Sequence, residues 1–560
     1  VKSNLELLRD GLDHQRAGQN ALAEAAYRAV LDAEPDEPHA LHYLGLLTLQ
    51  MRRFPEALAL LHGAMTHRPQ QDAVRTLYGR GLLAAGRGDD AVAHFQDVVK
   101  SRPCDASSHA NLALAFLQTG AVASAIAAAD IAIDFDRGNG DAWFARGTAL
   151  AQSRRGTEAI FALKQAVACN PGHAEAHLNL GNALLDCDVL EDAETHLRRA
   201  IALDPSLAEA HASLGFLLTG DGRHDEAIDT CATAIALRPD FAQAHWNQSF
   251  AHMLKGDYAA GWEKYEWRKR HDRFIRDLTT LPGREWQGEP LLGQTVLVRA
   301  EQGLGDTIQF ARYLPMLIER GADVMFAGPQ ALNRLFRQIA GLRVISRTTS
   351  LPTYDFWIDQ MSLPRLLGTR ADSVPRSEGY LSADADATAR WRARLAPGFR
   401  VGLVWAGNPA HSNDARRSMP LLQLAPFIPT PGCAFVSLQV GPSSGEIVEM
   451  FGIEDRSSAL TDLAKTASLV SALDLVVTVD SCVAHLAGAL GVPAWIMLPF
   501  APDWRWLAGR CDSPWYDSVR LFRQTRPGDW AGVVARVAEA LLARVSGTGT
   551  ALRVTGETKV

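Results

Sequence analysis

A beat of 34 residues runs through the first half of this chain and then stops. Proline recurs at Pro35, Pro69, Pro103, Pro171, Pro205 and Pro239, with Arg137 in the one skipped slot. A second series is small: Gly11, Gly45, Gly79, Ala113, Gly147, Gly181, Gly215, Ser249. A third is Ala23, Ala57, Ala91, Ala125, Ala159, Ala193, Ala227 and finally Gly261. A strict period of this length rules out a single globular core. Each unit is one supersecondary piece that buries its apolar face only against its neighbours. The small residue at the eighth position lets the first helix of a pair approach its partner, and the alanine at the twentieth does the same from the second. The proline at the thirty-second ends helix two and turns the chain into the next unit.

Period and pattern resemble the tetratricopeptide repeat. Seven full repeats are read at 4–37, 38–71, 72–105, 106–139, 140–173, 174–207 and 208–241, with a partial eighth from Ala242 to about Arg268. Such an α-solenoid is expected to make roughly one superhelical turn around a concave groove, a surface for holding another protein rather than for chemistry. Asn111, Asn179 and Asn247 share the sixth position, and Asn182 follows in "HLNLGNAL". They read either as an amide ladder for an extended peptide or as polar filling of a helix face. The first reading gains from a resemblance to the repeat arrays of protein O-GlcNAc transferases, which carry similar "LxNLGN" segments. The eighth unit is aromatic (His245, Trp246, Phe250, Tyr258, Trp262, Tyr265, Trp267), which predicts a hydrophobic dock onto the next domain. Arg268–Phe274 reads as a solvated exit, and 269–284 as a linker.

The chain has 560 residues, too many for one core. Its formal net charge of −7 argues against a nucleic-acid partner. No apolar run approaches the length of a membrane span, and the first residues enter the first repeat without a signal-like apolar stretch. The seven cysteines form no CxxC pair, which fits a reducing compartment. A cytoplasmic location is therefore expected.

After about Leu281, β-branched runs alternate with helical stretches. "TVLVRA" and "DVMFAG" read as strands of one lobe, 285–395. "RVGLVWAG", "AFVSLQV", "LDLVVTVD" and "AWIML" read as strands of a second, 396–545. The tail 546–560 reads as disordered. Two doubly wound α/β lobes follow, with ligands outside the carboxyl ends of their strands. Three polar clusters fall at such ends. In Ala300–Tyr313, Gln302, Gly303, Gly305 and Thr307 surround Asp306, which is either a helix cap or a carboxylate aimed into the cleft. In Val404–Pro420, Asn408, His411, Asn413, Arg416 and Arg417 are either phosphate and sugar ligands or a solvated loop. In Val476–Met497, Asp480 ends a buried strand, and Ser481 or Cys482 opens a helix whose N–H groups form an anion site. His485 lies one turn in and is either a ligand or a core residue.

Together these clusters resemble the heptosyltransferase-like glycosyltransferases, of GT-B fold, over about Trp286 to Leu542. The matching segments are Trp286–Gly293, "EQGLGDTIQFARY", "RSMP", "DSCVAHLAGALGVP" and "DWRWL…DSPWY…RLFRQ". The likeness is closer still to bacterial proteins, flagellin-glycosylating enzymes among them, that join tetratricopeptide repeats to this domain. The resemblance implies that Asp306 is the general base toward an acceptor hydroxyl. Arg417 would offset the leaving nucleotide's charge where heptosyltransferases carry lysine, and Asp480, Ser481, Cys482 and His485 would form the donor-phosphate loop with Asn408 and Arg416 beside it. Ser481-Cys482 replaces the Thr-Gly of many heptosyltransferases. The expected reaction is an inverting transfer from a nucleotide-sugar to Ser or Thr of a protein such as flagellin. No cofactor or metal is expected, and Asp384-Ala385-Asp386 reads as a surface turn. The alternatives are a lipopolysaccharide-type acceptor, which needs no peptide groove, and a non-catalytic scaffold.

Overall fold

The computed structural model describes residues 2–67, 71–271, 281–345, 351–411, 413–441 and 445–547. Pro69 and most of the expected linker and tail lie outside these residues. Contacts divide the chain into two compact units, Val1–Leu214 and Gly215–Val560.

The first unit is all helical. Helices of 13 and 14 residues alternate, from Asn4–Arg16 and Asn20–Ala33 to Ala174–Asp186 and Leu190–Leu203. The eighth-position glycines do what their spacing predicts. A Cβ on Gly79 would stand 2.3 Å from the Phe95 ring, and one on Gly181 2.7 Å from Leu197. Ala23, Ala57, Ala91, Ala125, Ala159 and Ala193 are all fully buried. Second helices end at Ala33, Ser101, Cys169 and Leu203, each two residues before a proline. Another periodic device joins these. The ring nitrogens of His109, His177 and His211 lie within hydrogen-bond distance of the carbonyls of Pro103, Pro171 and Pro205, each six residues back. In the repeat without proline, Trp143 Nε1 donates to the Arg137 carbonyl at 2.9 Å. The skipped slot keeps its hydrogen bond by exchanging one ring for another.

The second unit opens with helices of the same kind, His224–Leu237, Ala242–Leu254 and Tyr258–Tyr265, and continues into two parallel sheets. In the first, β1 (Arg284–Glu285), β2 (Thr295–Arg299), β3 (Asp323–Ala327), β4 (Leu342–Ile345) and β5 (Phe356–Asp359) take the order β1-β5-β2-β3-β4. The second sheet has β6 (Phe399–Val404), β7 (Cys433–Ser437), β8 (Glu454–Asp455), β9 (Leu475–Val479), β10 (Ala494–Leu498) and β11 (Val519–Arg523). Their order is β11-β10-β9-β6-β7-β8. Numbered from β6, this is the 3-2-1-4-5-6 order of doubly wound nucleotide-binding sheets, which reverses between β6 and β9. The first sheet reverses in the same way between β2 and β5. Fully buried strands such as β9 and β10 need helices on both faces, hence their unbroken apolar runs.

In the first lobe, Leu304–Phe310 and Leu314–Glu319 are separate helices joined by a 3-10 turn, because Pro315 can open a helix but not continue one. Two expectations are corrected. Asp384 does not sit in a surface turn; it caps the helix Ala385–Arg394, accepting from the Ala387 amide at 2.8 Å. Arg268 is not solvated but fully buried. Its guanidinium donates to both Glu301 oxygens at 3.0 and 2.9 Å, to Glu266 at 2.7 Å and to Ser362 at 2.8 Å.

The expected aromatic dock is present inside this unit. Trp515 Nε1 donates to Tyr258 Oη at 2.8 Å, and Trp262 Nε1 to the Thr369 carbonyl at 3.1 Å. Trp504 meets the Trp262 ring edge-on, with centroids 5.3 Å apart. The aromatic helix pair and both sheets therefore share one hydrophobic core.

Candidate functional site

The two reversal points bring the three polar clusters into one region. From the carboxyl end of β2 the chain runs through Glu301, Gln302 and Gly303 into the helix Leu304–Phe310. From β9 it runs through Asp480 and Ser481 into the eight-residue helix Cys482–Ala489. The starts of these helices touch. A Cβ on Gly305 would stand 2.8 Å from the His485 ring and 3.5 Å from Cys482 Cα, so no larger residue fits without moving the imidazole.

Asp306 is a cap and also reaches across. Its Oδ2 accepts from the Gly303 amide at 2.9 Å, while its Oδ1 pairs with Arg505 Nη2 at 2.5 Å. Arg505 lies in the turn Trp504–Trp506, only 7% exposed, and its Nη1 bonds Asp503 Oδ1 at 2.7 Å. Sequence reasoning assigned no role to Asp503 or Arg505, although the "DWRWL" segment that carries them was noticed. The signal was there: a charged pair embedded among tryptophans is costly to bury unless it is used.

The neighbours of Asp306 do not all face the cleft. Thr307 is buried, and its hydroxyl closes the turn on the Gly303 carbonyl at 3.0 Å. Gln302 donates to Tyr265 Oη at 3.2 Å, and Gly303 is exposed. Glu301 belongs to the anchor around Arg268.

The Val404–Pro420 loop is partly ordered by its own polar groups. Gln439 Oε1 accepts from the Trp405 and Ala406 amides at 3.1 and 3.0 Å, and Ser418 Oγ accepts from the Gly407 amide at 2.8 Å. Asn408 caps its own turn through the Ala410 amide at 3.0 Å, with the side chain at the surface. Asn413 donates its amide to His411 Nδ1 at 3.1 Å. Arg416 is exposed, whereas Arg417 is half-buried, packed on Gly407 and 3.4 Å from Asp414. The Arg417 charge is felt at Asp480, Cys482 and His485, so the second cluster does face the third.

In that third cluster Ser481 Oγ shares a hydrogen bond with Thr478 Oγ1 at 2.9 Å. Burial holds Cys482 as a thiol, which removes it as a nucleophile. His485 is buried, 3.0 Å from Tyr516 Oη and stacked on Trp506. Burial, then Arg505, Arg312 and Arg417, keep its imidazole neutral. Burial and the nearby Asp503 push the Asp480 carboxyl up to about 6, against the opposing pull of Arg417 and Arg505.

The sign of that shift has consequences. With a folded value near 6 above an ordinary 3.8, Asp480 favours the folded state most below pH 4, and this advantage fades as pH rises to 6. Any oxyanion bound at the adjacent helix N-terminus meets a neutral neighbour below pH 6 and a charged one above. Between pH 5.5 and pH 7.5 the wild type should therefore lose several-fold more affinity for inorganic pyrophosphate than Asp480→Asn does, the ligand's own titration being common to both. Titration calorimetry at the two pH values checks this; equal slopes in wild type and variant would rule out Asp480 as the source.

The arrangement can hold an oxyanion between a helix N-terminus and two arginines, within reach of a carboxylate on the other sheet's first helix. The asparagines of the repeats are different. Asn111 and Asn247 are buried, and their amides are used inside their own helices: Asn111 Nδ2 donates to the Ser107 carbonyl at 2.8 Å and Asn247 Oδ1 accepts from Gln243 at 2.7 Å. Asn111 Oδ1 is left buried without a partner, so the helix takes up only part of that amide. Asn179, half-buried, bonds Thr148 of the preceding repeat at 2.9 Å, and Asn182 is half-buried.

Among the described residues no helix is long and apolar enough to cross a membrane. Protein FlbA of Caulobacter vibrioides (strain ATCC 19089 / CIP 103742 / CB 15) is 32% identical over 318 residues, which cover 52% of this chain and 53% of FlbA. The chain thus spans about half the length of that curated relative. Among solved structures, YrrB, described as a TPR protein with an unusual peptide-binding site, is 22% identical with a TM-score of 0.28, over 31% of this chain and 91% of its own. A tetratricopeptide repeat protein from Parabacteroides merdae ATCC 43184 is 12% identical with a TM-score of 0.38, over 44% and 98%. Both scores are too low to carry an argument. Family profiles of the tetratricopeptide repeat match residues 8–71, 78–142 and 150–215. Residues 8–215 of this chain therefore carry tetratricopeptide repeats, as the 34-residue period requires.

Proposed function

We propose that this chain is an inverting, metal-independent glycosyltransferase of GT-B type. It would move a sugar from a nucleotide-sugar to Ser or Thr of a protein held by the repeats, with flagellin as the favoured acceptor. One observation carries the reading. The Asp306 carboxylate and the Cys482–Ala489 helix N-terminus, each at the reversal point of its own parallel sheet, meet with Arg417 and Arg505 around them. In-line displacement at an anomeric carbon needs a proton acceptor on one side and an offset for the departing phosphate on the other. Asp306 serves as the base. Arg417 and the free N–H groups of the helix take the phosphate charge. Asn408 and Arg416, exposed on the same loop, would contact the nucleotide or sugar. The repeats support a protein acceptor over a lipid-linked one, because a solenoid of helix pairs offers a long surface to a polypeptide.

The test is the intact mass of flagellin from cells carrying the wild-type chain or Asp306→Asn. Asn keeps the Gly303 cap and the shape but accepts no proton, so transfer should fall by at least about 10²-fold. A sugar-sized mass present with the wild type and missing with the variant is the expected result. Equal masses from both strains would overturn the flagellin reading and move the search to glycan acceptors or a scaffold role.

A further inference from the structure

We propose that Arg505 is a ligand of the donor's phosphate and the residue that withholds Asp306 until the donor is bound. The inference rests on the transferase reading above.

Among the described residues, Arg505 is the side chain bonded both to the first sheet's carboxylate and within the second sheet's turn. Its Nη2 holds Asp306 Oδ1 at 2.5 Å and its Nη1 holds Asp503 Oδ1 at 2.7 Å. Its Nε is buried without a hydrogen-bond partner. The guanidinium lies 4.4 Å from the centroid of the Trp504 ring, in a near-dry setting where an unused donor is expensive. Its charge reaches Asp480 and His485, the residues that flank the oxyanion position. Two residues beyond it, Leu507 holds φ +54°, a conformation that a bulky residue adopts only when the surrounding structure forces it. The turn is therefore built to place Arg505, not merely to connect strands.

As it stands, Asp306 is fully engaged: one oxygen caps Gly303 and the other faces a guanidinium. With both oxygens taken, it presents no free oxygen to an acceptor hydroxyl. A phosphate arriving at the Cys482–Ala489 helix offers Arg505 a partner of higher charge with oxygens spaced for a guanidinium fork, and Nε is the donor left to take it. Movement of Arg505 toward the phosphate leaves Asp306 Oδ1 open to an acceptor hydroxyl. The base is released only when a leaving group is in place, so the donor binds before the proton can move. The charged and titratable groups that share this space are Asp306, Asp503, Asp480, Arg417, Arg312, His485 and the Tyr265 hydroxyl.

The experiment uses the full chain. ADP, UDP, GDP and CMP, with their plain nucleosides as controls, are titrated into wild type and Arg505→Gln, and the tightest is carried forward. The variant is expected to bind that nucleotide at least about tenfold more weakly, as one lost charge-assisted bond implies, with the nucleoside unchanged. In transfer assays KM for the donor should rise while kcat is largely kept, since Asp306 no longer waits for Arg505 to leave it. Arg505→Lys, which keeps the charge, should restore part of both. If Arg505→Gln folds poorly, Arg505→Gln with Asp306→Asn removes both charges together and should bind the nucleotide as weakly as Arg505→Gln. Nucleotide affinity at the wild-type level in either variant, or a loss confined to kcat, overturns the inference. If the wild type binds none of the four nucleotides, the transferase reading itself fails, which is a different result.

Discussion

Arg268→Ala is expected to destabilise the Gly215–Val560 unit by about 3–5 kcal/mol, because it leaves a buried acid without its cation. Arg268 is fully buried, and the Glu301 side chain it holds is 4% exposed. Two opposed effects act on the acids around it. For Glu266, burial alone would raise the carboxyl, but Arg268 and Lys269 win and hold it at about 2. For Glu301, burial and Asp359 outweigh the Arg268 attraction, and its carboxyl is raised. Without Arg268, Glu301 would protonate rather than remain charged, and the Met361 amide that donates to Glu301 Oε2 at 3.1 Å would lose a charged acceptor. Paired replacement, Arg268→Met with Glu301→Gln, should recover a large part of the loss, since a buried pair removed together costs less than one broken in half. Every tryptophan except Trp143 lies in this unit, so tryptophan fluorescence in urea reads its unfolding separately from the repeats before it. An unshifted urea midpoint for Arg268→Ala would mean that the buried pair adds nothing.

Arg268 also marks what a sequence hides. The repeats were legible because a period states which residues are equivalent, and small residues at fixed positions have a single steric meaning. The strands β2, β3, β6, β7, β9 and β10 were legible as apolar runs long enough to stand out. β1 and β8 have two residues each and carry no such signal, while β4 and β5 sit beside charged neighbours. "RKR" reads as solvent-facing on composition alone. Only the fold shows that its first arginine points inward at an acid 33 residues later.

The candidate site was legible in its parts and not in its joints. Asp306, Arg417, Asp480 and His485 were found from strand ends and helix starts, which are local features. Whether Asp306 is a cap or faces a cleft was left open; the geometry shows the cap through one oxygen and places the other on Arg505. Arg505 lies 199 positions from Asp306 along the chain, and no local pattern couples them. Thr307, next to Asp306 in the chain, is turned inward onto the Gly303 carbonyl, because successive helix residues point in different directions.

Cutting the chain in the wrong place should erase folding, not just acceptor capture. A chain beginning at Leu281 loses Tyr258, Trp262 and Tyr265, all nearly fully buried, together with Arg268. The Trp515 and Gln302 side chains and the Thr369 carbonyl lose their partners with them. Exposing three such aromatic sites forfeits on the order of 10 kcal/mol, as much as a whole domain's margin of stability. That chain is expected to be insoluble or molten. A chain beginning at Leu207 keeps the helix Ala208–Gly220 whole and every element of the Gly215–Val560 unit, and should unfold cooperatively. The aromatic helix pair, though of repeat type, is structurally part of the α/β unit, so a cut between repeats and sheets divides a shared core. The Leu207 chain then separates two properties: nucleotide binding should persist at the full-length affinity, while modification of a protein acceptor should fall steeply, because six of the seven full repeats are gone. A well-folded Leu281 chain would disprove the shared core, and a Leu207 chain that modifies the acceptor as fast as the full chain would remove the repeats from acceptor capture.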